Sequence, residues 1–246
     1  MCSSNFSNPL VSIDAVTRPR IALTVSASQT PEGKAARLRY VRALERAGAE
    51  VVEVAPGAAA PIDVDALCLS GGGDIAPTEY GADDPADVCR DIDERRDHTE
   101  LEVVRSALQR DIPVLGVCRG FQMLNVAFLG QLVQNVDGHR ADDHTTHEVT
   151  AAAGSRLAQA CGGDPMQVNS RHHQAVTAET LGTSLRPTVF VGDLVEAFEA
   201  TGHRWVVGVQ WHPERVGAAE EGVDDNAARI FKAFVAEASR SPIRTS

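Results

Sequence analysis

Lysine is almost missing from this chain. Lys34 and Lys232 are the only two in 246 residues, and arginine carries the rest of the positive charge. Acidic residues outnumber basic ones, giving a formal charge of −11. That balance argues against nucleic acid or an anionic membrane surface as a partner. No apolar stretch approaches the ~18 residues needed to cross a bilayer. There are five cysteines, Cys2, Cys68, Cys89, Cys118 and Cys161, with no C-x-x-C pair and no Cys/His spacing of a structural zinc site. The count is odd and no secretory pattern opens the chain. A disulfide framework is therefore not expected, and a reducing cytoplasmic setting is. Internal repeats and long low-complexity linkers are absent too.

What is present alternates. Ile21–Val25, Val51–Val54 and Leu67–Leu69 read as short buried strands. Between the first two, Thr30 reads as an N-cap with Pro31 at the first helical position and Gly48 as the stop. Leu38, Val41 and Leu44 give that helix an apolar stripe. Asp97 and Glu100 read as a capping box for a helix over 98–110, with Leu101, Val104 and Leu108 on one face. Val114–Val117 is a further strand, followed by a helix over 119–129. The last helix, 224–238, carries Ala227, Ile230, Phe231 and Phe234 on one stripe. The pattern predicts a single α/β domain over 20–240 after a loose tail, 1–19. Its central sheet is mostly parallel, with helices on both faces. Strand-like pieces at Glu148–Ala152, Gln167–Asn169 and Val195–Phe198 are expected to lie antiparallel at one edge.

Two segments carry chemistry. PVLGVCRGFQ (113–122) places Cys118 between glycines where a buried strand meets a helix. A thiol at a helix N-terminus feels the positive end of the dipole, which favours thiolate. The arrangement follows the logic of a nucleophile elbow with sulfur in place of oxygen. Cys68, in the apolar run DALCLS, reads as core instead, and Cys2, Cys89 and Cys161 as incidental. GVQWHPE (208–214) supplies His212 and Glu214. His212 precedes a proline and is held extended, so residues i and i+2 share a side. A thiol, an imidazole and an orienting carboxylate are the parts that acyl transfer requires.

Ser70-Gly71-Gly72-Gly73-Asp74 follows a strand directly and exposes backbone N–H groups suited to a developing oxyanion. A phosphate-binding loop is disfavoured because no G-K-[ST] follows, and a plain turn is the bland alternative. His139, His144 and His147 lie in DGHRADDHTTHE. A metal there is weighed and set aside, because the spacing is not helical; no metal and no cofactor are expected.

Beyond the elbow and GVQWHPE, the strings LSGGGDIAPTEYG (69–81), RRDHTELEVV (95–104), NVA (125–127) and VNSRHHQAV (168–176) resemble the class I glutamine amidotransferase superfamily. Within it, the chain is most similar to the γ-glutamyl-γ-aminobutyrate hydrolase-like, peptidase C26, group. The resemblance implies a flavodoxin-like fold and hydrolysis of a γ-glutamyl amide through a thioester. It implies Cys118 as nucleophile, His212 as base and Glu214 as its partner. It places an oxyanion hole at the backbone of Gly72, Gly73 and Arg119. Gln122 and the run Asn169, Ser170, His172, His173 and Gln174 would hold the glutamyl end of the substrate. The expected partner is a small γ-glutamyl molecule, with a homodimer as the default assembly. Two other readings stay open: a free-standing glutaminase subunit that passes ammonia to a synthetase, and a non-catalytic sensor. One departure stands out. After NVA the family usually has a leucine and two glycines, whereas Phe128-Leu129-Gly130-Gln131 stands here.

Overall fold

The computed structural model describes residues 17–84, 87–139, 146–215 and 225–240. Most of the expected tail, Cys2 and His144 lie outside them.

Among the described residues, ten strands and five α-helices follow one another. The strands are β1 (Arg20–Thr24), β2 (Glu50–Val54), β3 (Ala66–Leu69), β4 (Val114–Val117), β5 (Thr146–Val149), β6 (Met166–Asn169), β7 (Val176–Thr177), β8 (Leu185–Val191), β9 (Leu194–Ala200) and β10 (Val206–Val209). The helices are α1 (Pro31–Arg46), α2 (Glu94–Gln109), α3 (Arg119–Ala127), α4 (Arg156–Cys161) and α5 (Asp225–Ser239). The main sheet runs β2-β1-β3-β4-β10-β9-β7, with β8 on β9. Its first five strands are parallel, and β9 begins an antiparallel edge.

The period of two in each strand divides the core. Ile21, Leu23, Cys68, Leu115, Val117, Val207 and Val209 face one side, where Leu44 of α1, Leu157 of α4 and Phe234 of α5 pack. Ala22, Leu67, Leu69, Val114 and Val206 face the other, against Leu101 and Val104 of α2 and Phe121 and Leu124 of α3. Helices therefore cover both faces, and buried strand runs such as VLGV follow from that.

Several local expectations need correction. The stripe of α1 is rotated: Tyr40 and Leu44 are buried, whereas Leu38 is 43% exposed. The capping box is not at Asp97. The N-cap of α2 is Asp93, whose side chain accepts from the Arg96 amide, and Asp97 and Glu100 lie inside the helix, buried. Cys89 and Cys161, in polar or Gly-rich sequence, are nonetheless buried. Of the edge pieces, only Val195–Phe198 joins the main sheet; β5 and β6 pair with each other as a separate antiparallel sheet.

Candidate active site

Cys118 caps the start of α3 with φ 53° and ψ −107°, a conformation that side chains rarely adopt. The surrounding backbone holds it there. Its amide donates to the Val209 carbonyl at 2.9 Å and its carbonyl accepts from Gln122 at 3.1 Å. The flanking glycines are needed for space: a methyl group on Gly116 would meet the Gly120 carbonyl oxygen at 2.5 Å, and one on Gly120 the Leu69 oxygen at 2.2 Å. Parallel pairing of β4 with β10 brings the ends of both strands together, so Cys118 and His212 emerge side by side.

His212 is fixed at ring and backbone. Its Nδ1 lies 2.7 Å from Glu214 Oε1, as the i, i+2 reading expected. Asn169 brackets the peptide: its Oδ1 accepts from the His212 amide at 2.9 Å, and its Nδ2 donates to the His212 carbonyl at 3.2 Å. Burial pushes the Cys118 thiol up, but the His212 imidazole more than offsets this and leaves it below its usual value. Burial acts to lower His212, and the Cys118 and Glu214 charges override it, raising the ring to about 10. The pair is thus poised as thiolate and imidazolium. The neighbouring side chain that most favours thiolate is the His212 imidazole. The Cys68 thiol, fully buried, is pushed far up by desolvation.

The glycine loop is tied to the elbow through buried charge. Arg96 Nη2 donates to the carbonyls of Ser70 and Gly71 at 3.2 and 3.1 Å. Its Nε donates to Glu100 Oε1 at 2.8 Å. The other Glu100 oxygen pairs with Arg119, whose guanidinium also pairs with Asp97. The Arg119 side chain is spent in this network, which leaves only its backbone to face the site. Gly72 lies against Arg96 and Arg119, whereas Gly73 packs on the Asp91 backbone. Of the three loop glycines, Gly71 lies closest to His212: a methyl group there would meet the ring Cε1 at 2.9 Å. Tyr40 was missed by sequence reasoning. Its hydroxyl accepts from the Gly71 amide at 2.9 Å and lies 3.4 Å from His212 Nδ1.

The expected substrate run is drawn to the same place, but most of its members face protein partners. Gln122 Nε2 donates to the Gln174 carbonyl at 3.0 Å and to Gln210 Oε1 at 3.2 Å. Ser170 Oγ lies 3.0 Å from His139 Nδ1. His172 sits 3.3 Å from Glu196, and Gln174 donates to Cys89 Sγ at 3.4 Å. His173 Nε2, 2.9 Å from Asp74 Oδ2, joins this run to the glycine loop. A cleft of about 320 Å³ opens beside His212, lined by Tyr40, Gly71, Gly72, Arg37, Arg171 and Arg215 among others. Phe128 and Leu129 end α3 at the far end from Cys118.

The model of the family described as peptidase C26 matches residues 9–214. The chain belongs to the peptidase C26 family. It is 30% identical over 236 residues to the γ-glutamyl-γ-aminobutyrate hydrolase PuuD of Escherichia coli, covering 85% of this chain and 86% of that protein. It is 36% identical over 211 residues to the Schizosaccharomyces pombe protein named "Putative glutamine amidotransferase PB2B2.05", covering 80% and 79%. Among solved structures, a glutamine amidotransferase from Methylobacillus flagellatus matches with a TM-score of 0.62 at 14% identity, covering 93% of this chain and 98% of that one. The fold is that of the class I glutamine amidotransferases. Among the described residues, no helix is long and apolar enough to cross a membrane.

Proposed function

We propose that this protein hydrolyses γ-glutamyl amides through a thioester on Cys118. The observation that carries the reading is the coupled set Cys118, His212 and Glu214, with His212 Nδ1 held 2.7 Å from the Glu214 carboxylate. That contact assigns the Nδ1 hydrogen to the carboxylate side and leaves Nε2 for proton transfer.

In this reading the thiolate attacks the γ-carbonyl carbon. The carbonyl oxygen becomes an oxyanion facing the backbone N–H groups of Gly72 and Arg119. His212 begins as imidazolium, so its first act is that of an acid. It gives the Nε2 proton to the departing amine nitrogen as the C–N bond breaks. The neutral ring then takes a proton from water, hydroxide adds to the thioester, and the C–S bond breaks. Glutamate leaves, and the thiolate–imidazolium pair is restored.

Arg171, in the cleft beside His212, favours a leaving amine that carries a carboxylate. This supports γ-glutamyl-γ-aminobutyrate over γ-glutamyl polyamines, as does the likeness to the E. coli hydrolase. The test is glutamate release by the purified chain from γ-glutamyl-γ-aminobutyrate, γ-glutamylputrescine, γ-glutamylethylamide and free glutamine. Preference for the first, lost in Arg171→Met while the ethylamide rate holds, supports the reading. Turnover of glutamine alone would replace it with a glutaminase.

A further inference from the structure

Beside the Cys118 site lies a second cluster that the proposed chemistry does not use. Its members come from four separate places: His139 from the loop before β5, His147 from β5, His172 from the turn after β6, and Glu196 from β9. One donor atom each from His139, His172 and Glu196 lies within 4.8 Å of the others. His172 Nε2 is 3.3 Å from Glu196 Oε1, and His147 Nε2 is 3.8 Å from Oε2.

These atoms are buried, and their bonding is incomplete. Both Glu196 oxygens, His172 Nε2 and His147 Nε2 have no aligned hydrogen bond, although Glu196 is 1% exposed. A buried carboxylate without an aligned donor is costly. Meanwhile the outer nitrogens are engaged. His172 Nδ1 lies 2.9 Å from the Gln174 carbonyl, which can only accept, so Nδ1 carries the hydrogen. His139 Nδ1 faces Ser170 Oγ, whose own hydrogen goes to the His139 carbonyl at 3.1 Å. Nδ1 is again the donor. Both neutral rings therefore hold a bare Nε2, each fixed by an outer hydrogen bond as metal-binding histidines usually are.

We propose that His139, His172 and Glu196, with His147 as a fourth donor, form a binding site for a zinc ion. Imidazole nitrogens with one carboxylate oxygen are a zinc donor set. With bonds of ~2.0–2.2 Å, neighbouring tetrahedral ligands stand roughly 3.3–3.5 Å apart. The 3.3 Å His172–Glu196 separation already fits such an edge, while His147 faces the other carboxylate oxygen at 3.8 Å. The ion would tie the β5–β6 sheet and the 169–174 run to β9. The inference uses none of the hydrolase reading.

The test uses the full chain with Cys118→Ala, so that the reactive thiol takes no part. Metal-free protein is titrated with zinc by calorimetry and with cobalt by visible absorption. One equivalent should bind, with the intense bands of a tetrahedral cobalt site. His139→Ala/His147→Ala should weaken zinc binding at least about 100-fold, beyond the ~10–100-fold typical of outer-sphere losses. The metal-free variant should melt where its metal-free parent does. If zinc fails to bind the parent, or binds the double variant equally well, the site does not exist.

Discussion

Glu100 joins the two loops that face His212. One carboxylate oxygen takes Arg96, which clasps the glycine loop, and the other takes Arg119, the residue after Cys118. All three side chains are buried. Two guanidinium groups hold the carboxyl below its usual range against the opposing effect of burial. Glu100→Gln keeps the shape and removes the charge that compensates both. Breaking a buried pair on one side costs about 3–5 kcal/mol. The midpoint of urea unfolding should fall accordingly, with unchanged slope. Activity should drop even well below the new midpoint, because glycine loop and elbow are no longer tied.

The charge state of the thiol gives a second prediction. In the wild type the thiolate should appear below the ~8.5 of a free cysteine, because His212 keeps its proton to about pH 10. In His212→Ala the main group opposing burial is gone and only His172 still lowers the thiol, so the ionisation should move up. Ultraviolet thiolate absorbance against pH, read as the difference from Cys118→Ala, measures both. An ionisation that does not move would remove His212 as the activating group.

Ranking the two partners tests their roles. His212→Ala should cost at least ~10³-fold in kcat, as removal of a central member of such a set does. Glu214→Gln should cost less, since it orients the ring and stabilises its charge without moving the proton. The reverse order would assign the acid–base role elsewhere.

At the far end of α3, Leu129 departs from the family pattern. It sits at φ 66° and is 82% exposed. An exposed left-handed leucine gains little packing and carries about 1 kcal/mol of strain. Leu129→Gly should therefore raise the melting temperature by a few degrees and leave kcat/KM unchanged. A change in substrate preference would mean that this helix end reaches the site by a route the contacts do not show.

What the sequence made legible was local. The elbow and GVQWHPE could be read because each packs its chemistry into a few residues around a turn or a proline. The parallel sheet could be read from alternating strands and helices. Tyr40 could not: its position on α1 looks like core, and it meets His212 across 172 residues. Glu196 was likewise hidden in an apolar strand, and its histidines come from segments brought together by pairing of β5 with β6 and by the His172 amide donating to the His139 carbonyl. Asp97 and Glu100 were misread for a related reason. A buried salt bridge to Arg119 and a capping box both place acids three apart near a helix start, and only the Asp93 cap separates them.

The central claim is the covalent intermediate on Cys118. Wild-type protein is mixed with γ-glutamyl-γ-aminobutyrate, quenched in acid within the first turnovers, and examined by intact mass and peptide mapping. The account predicts an added mass of one γ-glutamyl group on the peptide that carries Cys118, and none on those carrying Cys68, Cys89 or Cys161. It also predicts neither adduct nor glutamate release in Cys118→Ala. Glutamate release that persists in Cys118→Ala would contradict it.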